Sequence, residues 1–533
     1  MKRIAKYGKR GFVLVLSLLT ATILLALIIP YVSRVVTDYG FTSKTHDSIA
    51  ALNLAEAGAE RAIWGIVHNG ATSDFTIPLT ALQSPSGESI GEYEATVIFT
   101  SSTSAAIESH GYVPNKLSHT TERTIRLQYA RQNWGMAVRA AGDGVGAITL
   151  GVQDIINSYN SDLGTYAATK TSSYGNIATN GSIVFQNQAK VWGDARPGAG
   201  YPFPAKPTNV SGAWGTLAVP LTLDPIPQTT LDGDAAAVAA DAADASTNNN
   251  NGSIVLIVSG TTLATLDGDK NLYVVSGKTI TLPGSADADN PAKYYFKSVT
   301  LDTQAIVNVS GAGNFVEIYV DGGSLNLGTQ TRMNVSGTST IYVGGGDMNI
   351  SNTPVHSQGY LTVSGPSAIY VRKNGTTGGN INIGTQGKLN LFSGTSAAPG
   401  TATIYANGNV NVGTQGDVNV GDATHANSQA TFFVDGGNIN VSTQGDINNT
   451  GKPKDLSIYS SGSSIALTTQ TDFYGAIYAP NAAVTLTTQG DIFGAVACNT
   501  FSGGTQAGIH FDRALLNVNP VFANNGVTSW QEI

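Results

Sequence analysis

Ile381-Asn-Ile-Gly-Thr-Gln386-Gly, Val410-Asn-Val-Gly-Thr-Gln415-Gly and Ile439-Asn-Val-Ser-Thr-Gln444-Gly repeat one short pattern at intervals of 29 residues. Each copy alternates apolar and polar residues as a strand does, then turns at Thr-Gln. The column continues on both sides. Upstream stand Leu301-Asp-Thr-Gln304, Leu325-Asn-Leu-Gly-Thr-Gln330 and a weaker copy, His356-Ser-Gln358-Gly. Downstream stand Ile465-Ala-Leu-Thr-Thr-Gln470 and Val484-Thr-Leu-Thr-Thr-Gln489, so that successive glutamines are 26, 28, 28, 29, 29, 26 and 19 residues apart. A second column lies between them: Ile318-Tyr319, Ile341-Tyr342, Ile369-Tyr370, Ile404-Tyr405, Phe432-Phe433, Ile458-Tyr459 and Ile477-Tyr478. About three strands fit in each repeat. One repeat cannot bury its own apolar side, whereas stacked repeats share a continuous core. The pattern therefore predicts an all-β parallel β-helix, or β-solenoid, over residues 251–500. Glycine and asparagine are expected at its positive-φ corners, and the corner glutamines as a stacked amide ladder. Roughly eight coils at about 4.8 Å each give a rod of about 40 Å.

Composition agrees with this reading. The 533 residues include 62 glycines, and only 12% are charged, about half the usual share. So low a charge argues against disorder, and the single Cys498 rules out a disulfide framework. A net charge of -8 argues against nucleic acid as a partner. Residues 301–500 hold only 17 charged side chains, so neutral Asn, Thr and Gln stack without like-charge repulsion.

Working outward, residues 501–533 break the repeat and are expected to cap it, because an open coil end is an exposed edge. Residues 134–250 read as a connecting region of short strands and loops. Residues 70–133 contain three alternating strand-like stretches, among them Glu92–Phe99 and Arg123–Tyr129. Before them, Asp47–Ile66 is Ala-rich and helical, with Ile49, Leu52, Ala55, Ala59, Ile63 and Ile66 spaced along one face. The N-terminus carries five basic residues in its first ten, then an apolar run from Phe12 to Ile29. At 1.5 Å per residue that run spans about 27 Å, enough for a bilayer core, with the basic end left in the cytoplasm.

Lys9-Arg10-Gly11-Phe12 looks like a prepilin leader site, and Ala55-Glu56-Ala57-Gly58 resembles the helix signature of PilX-type minor pilins and of the K-type minor pseudopilin of type II secretion. The resemblance covers about 60 residues. It implies an α+β pilin-like module, a long N-terminal helix (12–69) with a small antiparallel sheet (70–133), joined to the solenoid. It also implies that a prepilin peptidase removes residues 1–11 by cutting between Gly11 and Phe12, and that Phe12 is N-methylated. Loss of the five basic residues would bring the mature chain near -13. Major pilins carry Glu as the fifth mature residue; here that position is Leu16. A subunit without this Glu cannot offer its charge to a neighbour's ammonium, which suits a tip or minor position. The implied partners are other pilins or pseudopilins through the N-terminal helix, the inner membrane before assembly, and a surface glycan or protein as ligand. The implied localisation is the bacterial inner membrane, then the pilus or extracellular surface, and the function is tip capping or priming together with adhesion. The alternatives are a membrane-anchored adhesin outside any pilus and a polysaccharide-active β-helix enzyme.

The enzyme alternative requires clustered carboxylates. Asp417, Asp446, Asp472 and Asp491 each follow a column Gln by two residues and could stack as a row, read either as a solvated corner or as a cation ladder. Lys388 and Arg332 interrupt that row in earlier coils. The histidines are scattered, with His510 expected as a packed cap residue, and there is no zinc spacing, phosphate loop or nucleophile elbow. No catalytic activity, no cofactor and no metal are expected. The Tyr column is read as cross-strand packing, with stacking on sugars or on another protein as the sharper alternative.

Overall fold

The computed structural model describes residues 5–68, 74–84, 87, 89–101, 104–130, 134–217, 220–310, 314–351, 358–468, 470–487, 489–518 and 526–532, with few side chains before Ile28. Two compact units are present: residues 1–132 with 524–533, and residues 133–523.

The first unit holds helix α1 (Ala5–His68) and the strands β1 (Phe75–Gln83), β2 (Ser89–Ser101), β3 (Ser104–Val113), β4 (Thr121–Ala130) and β5 (Gly526–Glu532). They form one antiparallel sheet in the order β1-β2-β3-β4-β5. The last strand comes from the C-terminus and pairs with β4, Leu127 opposite Trp530 and Ala130 opposite Gly526. The expected cap at 501–533 is corrected here: its final residues belong to this sheet. The helix buries Ala55, Ala59, Ala62 and Ile66 against Ala95, Val97, Ile107, Ile125 and Leu127. Its buried face is turned slightly from the expected one: Ala51 and Leu54 are buried, whereas Ile49 is exposed.

In the second unit, strands pair in parallel with the strand one coil later, giving three ladders around one core. One ladder runs Leu325–Leu327, Met348–Ile350, Ile381–Ile383, Val410–Val412 and Ile439–Val441. The second runs Arg332–Ser336, Tyr360–Ser364, Lys388–Phe392 and Asp417–Val420. The third is the Ile-Tyr column, with Tyr319, Tyr342, Tyr370, Tyr405, Phe433 and Tyr459 in direct register. The three-residue strands bury both outer residues and leave Asn half-buried between them, the alternation that a pleated strand requires.

Residues 134–250 are not merely a connection. Val138–Ala140, Ile148–Leu150 and Ile155–Tyr159 form a coil that stacks on the coil of Asp491–Ser502 and Gly508–Asp512. Ile177–Thr179, Ile183–Phe185 and Lys190–Val191 add the next coil. The coil of residues 491–512, expected near a free end, therefore lies between two others. The chain then crosses back along the Tyr column, which is how helix α2 (Ala235–Ala245) arises: its Ala235, Ala242 and Ala245 pack on Tyr319, Tyr342 and Tyr370.

Candidate functional site

The sequence singled out four places, and each can now be built from its residues. The first is the helix. Ala55 is buried, Glu56 exposed, Ala57 intermediate and Gly58 buried. The pattern has a packing cause. A Cβ at Gly58 would meet Ser109 Oγ at 2.3 Å, and one at Gly111 would meet the Ala51 carbonyl at 2.0 Å. The small residues thus let α1 lie directly on β3. The opposite half of the helix behaves differently. Ile28, Ile29, Tyr31, Val32, Val35, Val36, Tyr39 and Phe41 are all exposed, Tyr39 by 77%; all but Phe41 share one side of the helix, at about 100° per residue, with the exposed Ser33, Arg34, Thr37 and Asp38 on the other. An exposed apolar stripe of this kind is a surface for a partner. Gly11, Phe12 and Leu16 fall in the helix backbone, but their side chains lie outside the described residues. Among the described residues no helix is long and apolar enough to cross a membrane; most side chains of the Phe12–Ile29 run, on which the membrane expectation rests, lie outside the described ones.

The second place is the glutamine column. Gln304, Gln330, Gln358, Gln386, Gln415 and Gln444 all have φ between 55° and 63°. Glycine and asparagine were expected to hold such corners; glutamine itself does so here, although a left-handed backbone is unusual for it. The amides form a ladder: Gln304 donates to Gln330 (2.9 Å), Gln330 to Gln358 (3.3 Å), Gln386 to Gln415 (3.1 Å) and Gln415 to Gln444 (3.1 Å). Gln470 is exposed at the equivalent offset. The ladder also runs beyond the repeat: Gln489 donates to Gln506, Gln506 to Gln153 and Gln153 to Gln188, each at 2.9 Å. Gln506 carried a readable signal, since Gly504-Thr-Gln506 copies the column motif. Gln153 and Gln188 carried none.

The third place is the carboxylate row. Lys388, Asp417 and Asp446 are register partners, and the pairing of Ile447, Phe473 and Ile492 brings Asp472 and Asp491 into the same column. A cationic or ring nitrogen stands at each end: Lys388 Nζ lies 2.7 Å from Asp417, and His510 Nε2 lies 3.1 Å from Asp491. Burial, then the neighbouring Asp417 and Asp472, push the Asp446 carboxyl up to about 6. Burial, then Asp491, raise Asp472 as well. Among the described residues no three His, Cys, Asp or Glu side chains converge where a metal ion could sit. His510 is buried between coils, with Nδ1 2.7 Å from Asn157 Oδ1 and Tyr166 and Phe493 against its ring.

The fourth place is the Tyr column, which the reading left open to sugars. Tyr319, Tyr342, Tyr370, Phe433 and Tyr459 are buried. The crossing segment covers them: Tyr478 Oη donates to the Asp224 carbonyl at 2.8 Å, Arg372 pairs with Asp232, and a Cβ at Gly233 would strike the Tyr405 ring. These rings are packing surface. Cys498 is likewise buried, which pushes its thiol up.

With this geometry in view, three comparisons can be stated. A family model described as a domain of unknown function, DUF7305, matches residues 395–518, under a quarter of the chain. No curated protein matches. Among solved structures, the chain is similar to the competence-associated pilin ComZ from Thermus thermophilus, at 13% identity over 91% of this chain and 97% of that one, with a TM-score of 0.24. It is also similar to an ice binding protein from an Antarctic bacterium of the Flavobacteriaceae, at 12% identity over 71% of this chain and 97% of that one, with a TM-score of 0.17.

Proposed function

We propose that this chain is a minor-pilin-like subunit of a type IV pilus or a related secretion filament, and that its three-ladder stack is a β-solenoid displayed for tip capping or priming and for adhesion. One observation carries the reading. Helix α1 is docked on its own sheet through small residues in its second half, while residues 28–41 offer a stripe of exposed apolar side chains. Such a stripe fits burial among the helices of neighbouring subunits, and the apolar sequence of Phe12–Ile29 before it fits burial in the inner membrane. In this reading a prepilin peptidase cuts between Gly11 and Phe12, and Phe12 becomes the N-methylated first residue. Leu16, in place of a charged fifth residue, suits a subunit at the tip. We assign no catalytic role to the carboxylate row, whose ends are paired with Lys388 and His510. Mass spectrometry of the mature N-terminus tests the reading: methyl-Phe12 is expected, and an intact leader or a cut after Ile29 refutes it.

A further inference from the structure

At the corner between the second and third ladders, consecutive coils differ in length. Two coils turn tightly at Gly337 and at Gly365-Pro366, and the next two carry longer loops after Phe392 and Val420. The step leaves a cavity of about 400 Å³ over the tight corners. Its floor cannot be filled from below. Gly337 and Gly365 have φ of 97° and 116°, and a Cβ on Gly365 would stand 2.5 Å from the Gly337 carbonyl. Its wall is aromatic. Phe392 is the register partner of Ser364, and His425 of the following coil stacks on it at 5.1 Å with a tilt of 12°. The His425 ring is fixed from behind, since Nδ1 lies 2.8 Å from Asp422 Oδ1 and 2.9 Å from Thr424 Oγ1. Partial burial pushes Asp422 up, but hydrogen bonds from Thr424 and His425 outweigh it and bring the carboxyl to about 2. It is therefore an ionised acceptor facing Nδ1, which holds the ring in place. Ser336, Thr338 and Ser364 line the same space, and among the described residues no Lys, Arg, Asp or Glu does.

We propose that this pocket binds a neutral saccharide. An aromatic wall suits the C–H face of a sugar ring, hydroxyls and a ring nitrogen suit its hydroxyl groups, and the absence of charge in the lining gives an ionic ligand no counter-charge. The preformed ring stack lowers the ordering cost of binding. The site stands apart from the filament reading and is tested without filaments. Calorimetric titration of the purified full chain with cellohexaose, mannohexaose and chitohexaose is expected to give binding by at least one, with hexagalacturonate weaker. Phe392→Ala should weaken that binding at least tenfold. Ser364→Trp, which fills the pocket while keeping the wall, should abolish it, and both variants should keep the circular dichroism of the parent. Failure of all three neutral sugars to bind, tighter binding of hexagalacturonate, or indifference to both folded variants would overturn the proposal.

Discussion

Gln386 allows the logic of the corner column to be weighed in numbers. It sits at φ 57°, where a residue with a Cβ costs about 1–2 kcal/mol. In return its amide accepts from Gln358 at 3.5 Å and donates to Gln415 at 3.1 Å. The first contact is at the limit of hydrogen bonding and the second is partly exposed, so the pair contributes about 1 kcal/mol net. Gln386→Gly removes the backbone cost and loses the ladder, and glycine's freedom in the unfolded chain costs about 0.4–1 kcal/mol more. The three terms nearly cancel, so this variant should lie within about 1 kcal/mol of the parent. Gln386→Val also loses the ladder, keeps the backbone cost and adds a branched Cβ at positive φ, a strain of about 1–3 kcal/mol. It should be less stable than the glycine variant by about 2 kcal/mol or more. Urea unfolding followed by far-ultraviolet circular dichroism reads the difference directly, with similar m-values as the check that the unfolded states match. If valine proves as well tolerated as glycine, the left-handed corner does not select the residue. If glycine is the worse of the two, its freedom in the unfolded chain outweighs the cost of the left-handed backbone and the reasoning fails.

Three further outcomes are expected. Gly111→Ala should destabilise the first unit by about 1–3 kcal/mol, because the new Cβ meets the Ala51 carbonyl and Ala55 nitrogen, neither of which can yield; Gly40→Ala, with nothing within 4 Å, should be neutral or stabilising, and thermal melts showing equal effects would contradict this. Asp446 is held above its ordinary value, so the folded chain binds more protons than the unfolded one between about pH 4 and 6. Stability from this group is thus greatest at the acid end and is lost as the pH rises through about 6. Asp446→Asn should raise the melting temperature at pH 7.5 and flatten its change down to pH 5, and an unchanged pH profile would count against the coupled row. Replacing residues 131–525 by a short turn should give a folded first unit, since Ala130 and Gly526 are already paired; loss of helix and sheet in circular dichroism would show that the inserted unit is needed.

How much of this was readable depended on whether the partners of a strand were near in sequence. The three ladders between residues 298 and 486 repeat every 19 to 35 residues, so periodicity exposed them. The coils of residues 134–214 have strands as short as Lys190–Val191, and the first of them stacks on strands some 350 residues away, as with Ile155 and Gly508. No local repeat can reveal such a pair. The same distance hid the placement of Gly526–Glu532 beside β4. The Tyr column was legible as a column but not as a covered one, because nothing in the Ala-rich segment 235–245 names the surface it packs on. In the helix, the Ala55–Gly58 signature was visible as a motif, and its physical meaning, a close approach of helix to sheet at Ser109 and Gly111, emerges only in the folded unit.

The position of residues 491–512 between two other coils has a consequence for how the molecule is made. Synthesis delivers the coil of residues 134–159 early, yet the strand that covers its open side appears some 350 residues later, and the strand that pairs with β4 appears later still. A product broken off anywhere before Gly508 keeps two unsealed sheet edges, the kind of surface that pairs wrongly with other chains and attracts proteases. The fold thus keeps these two edges open until residues 508–532 have been made, and only a chain that reaches them can cover both.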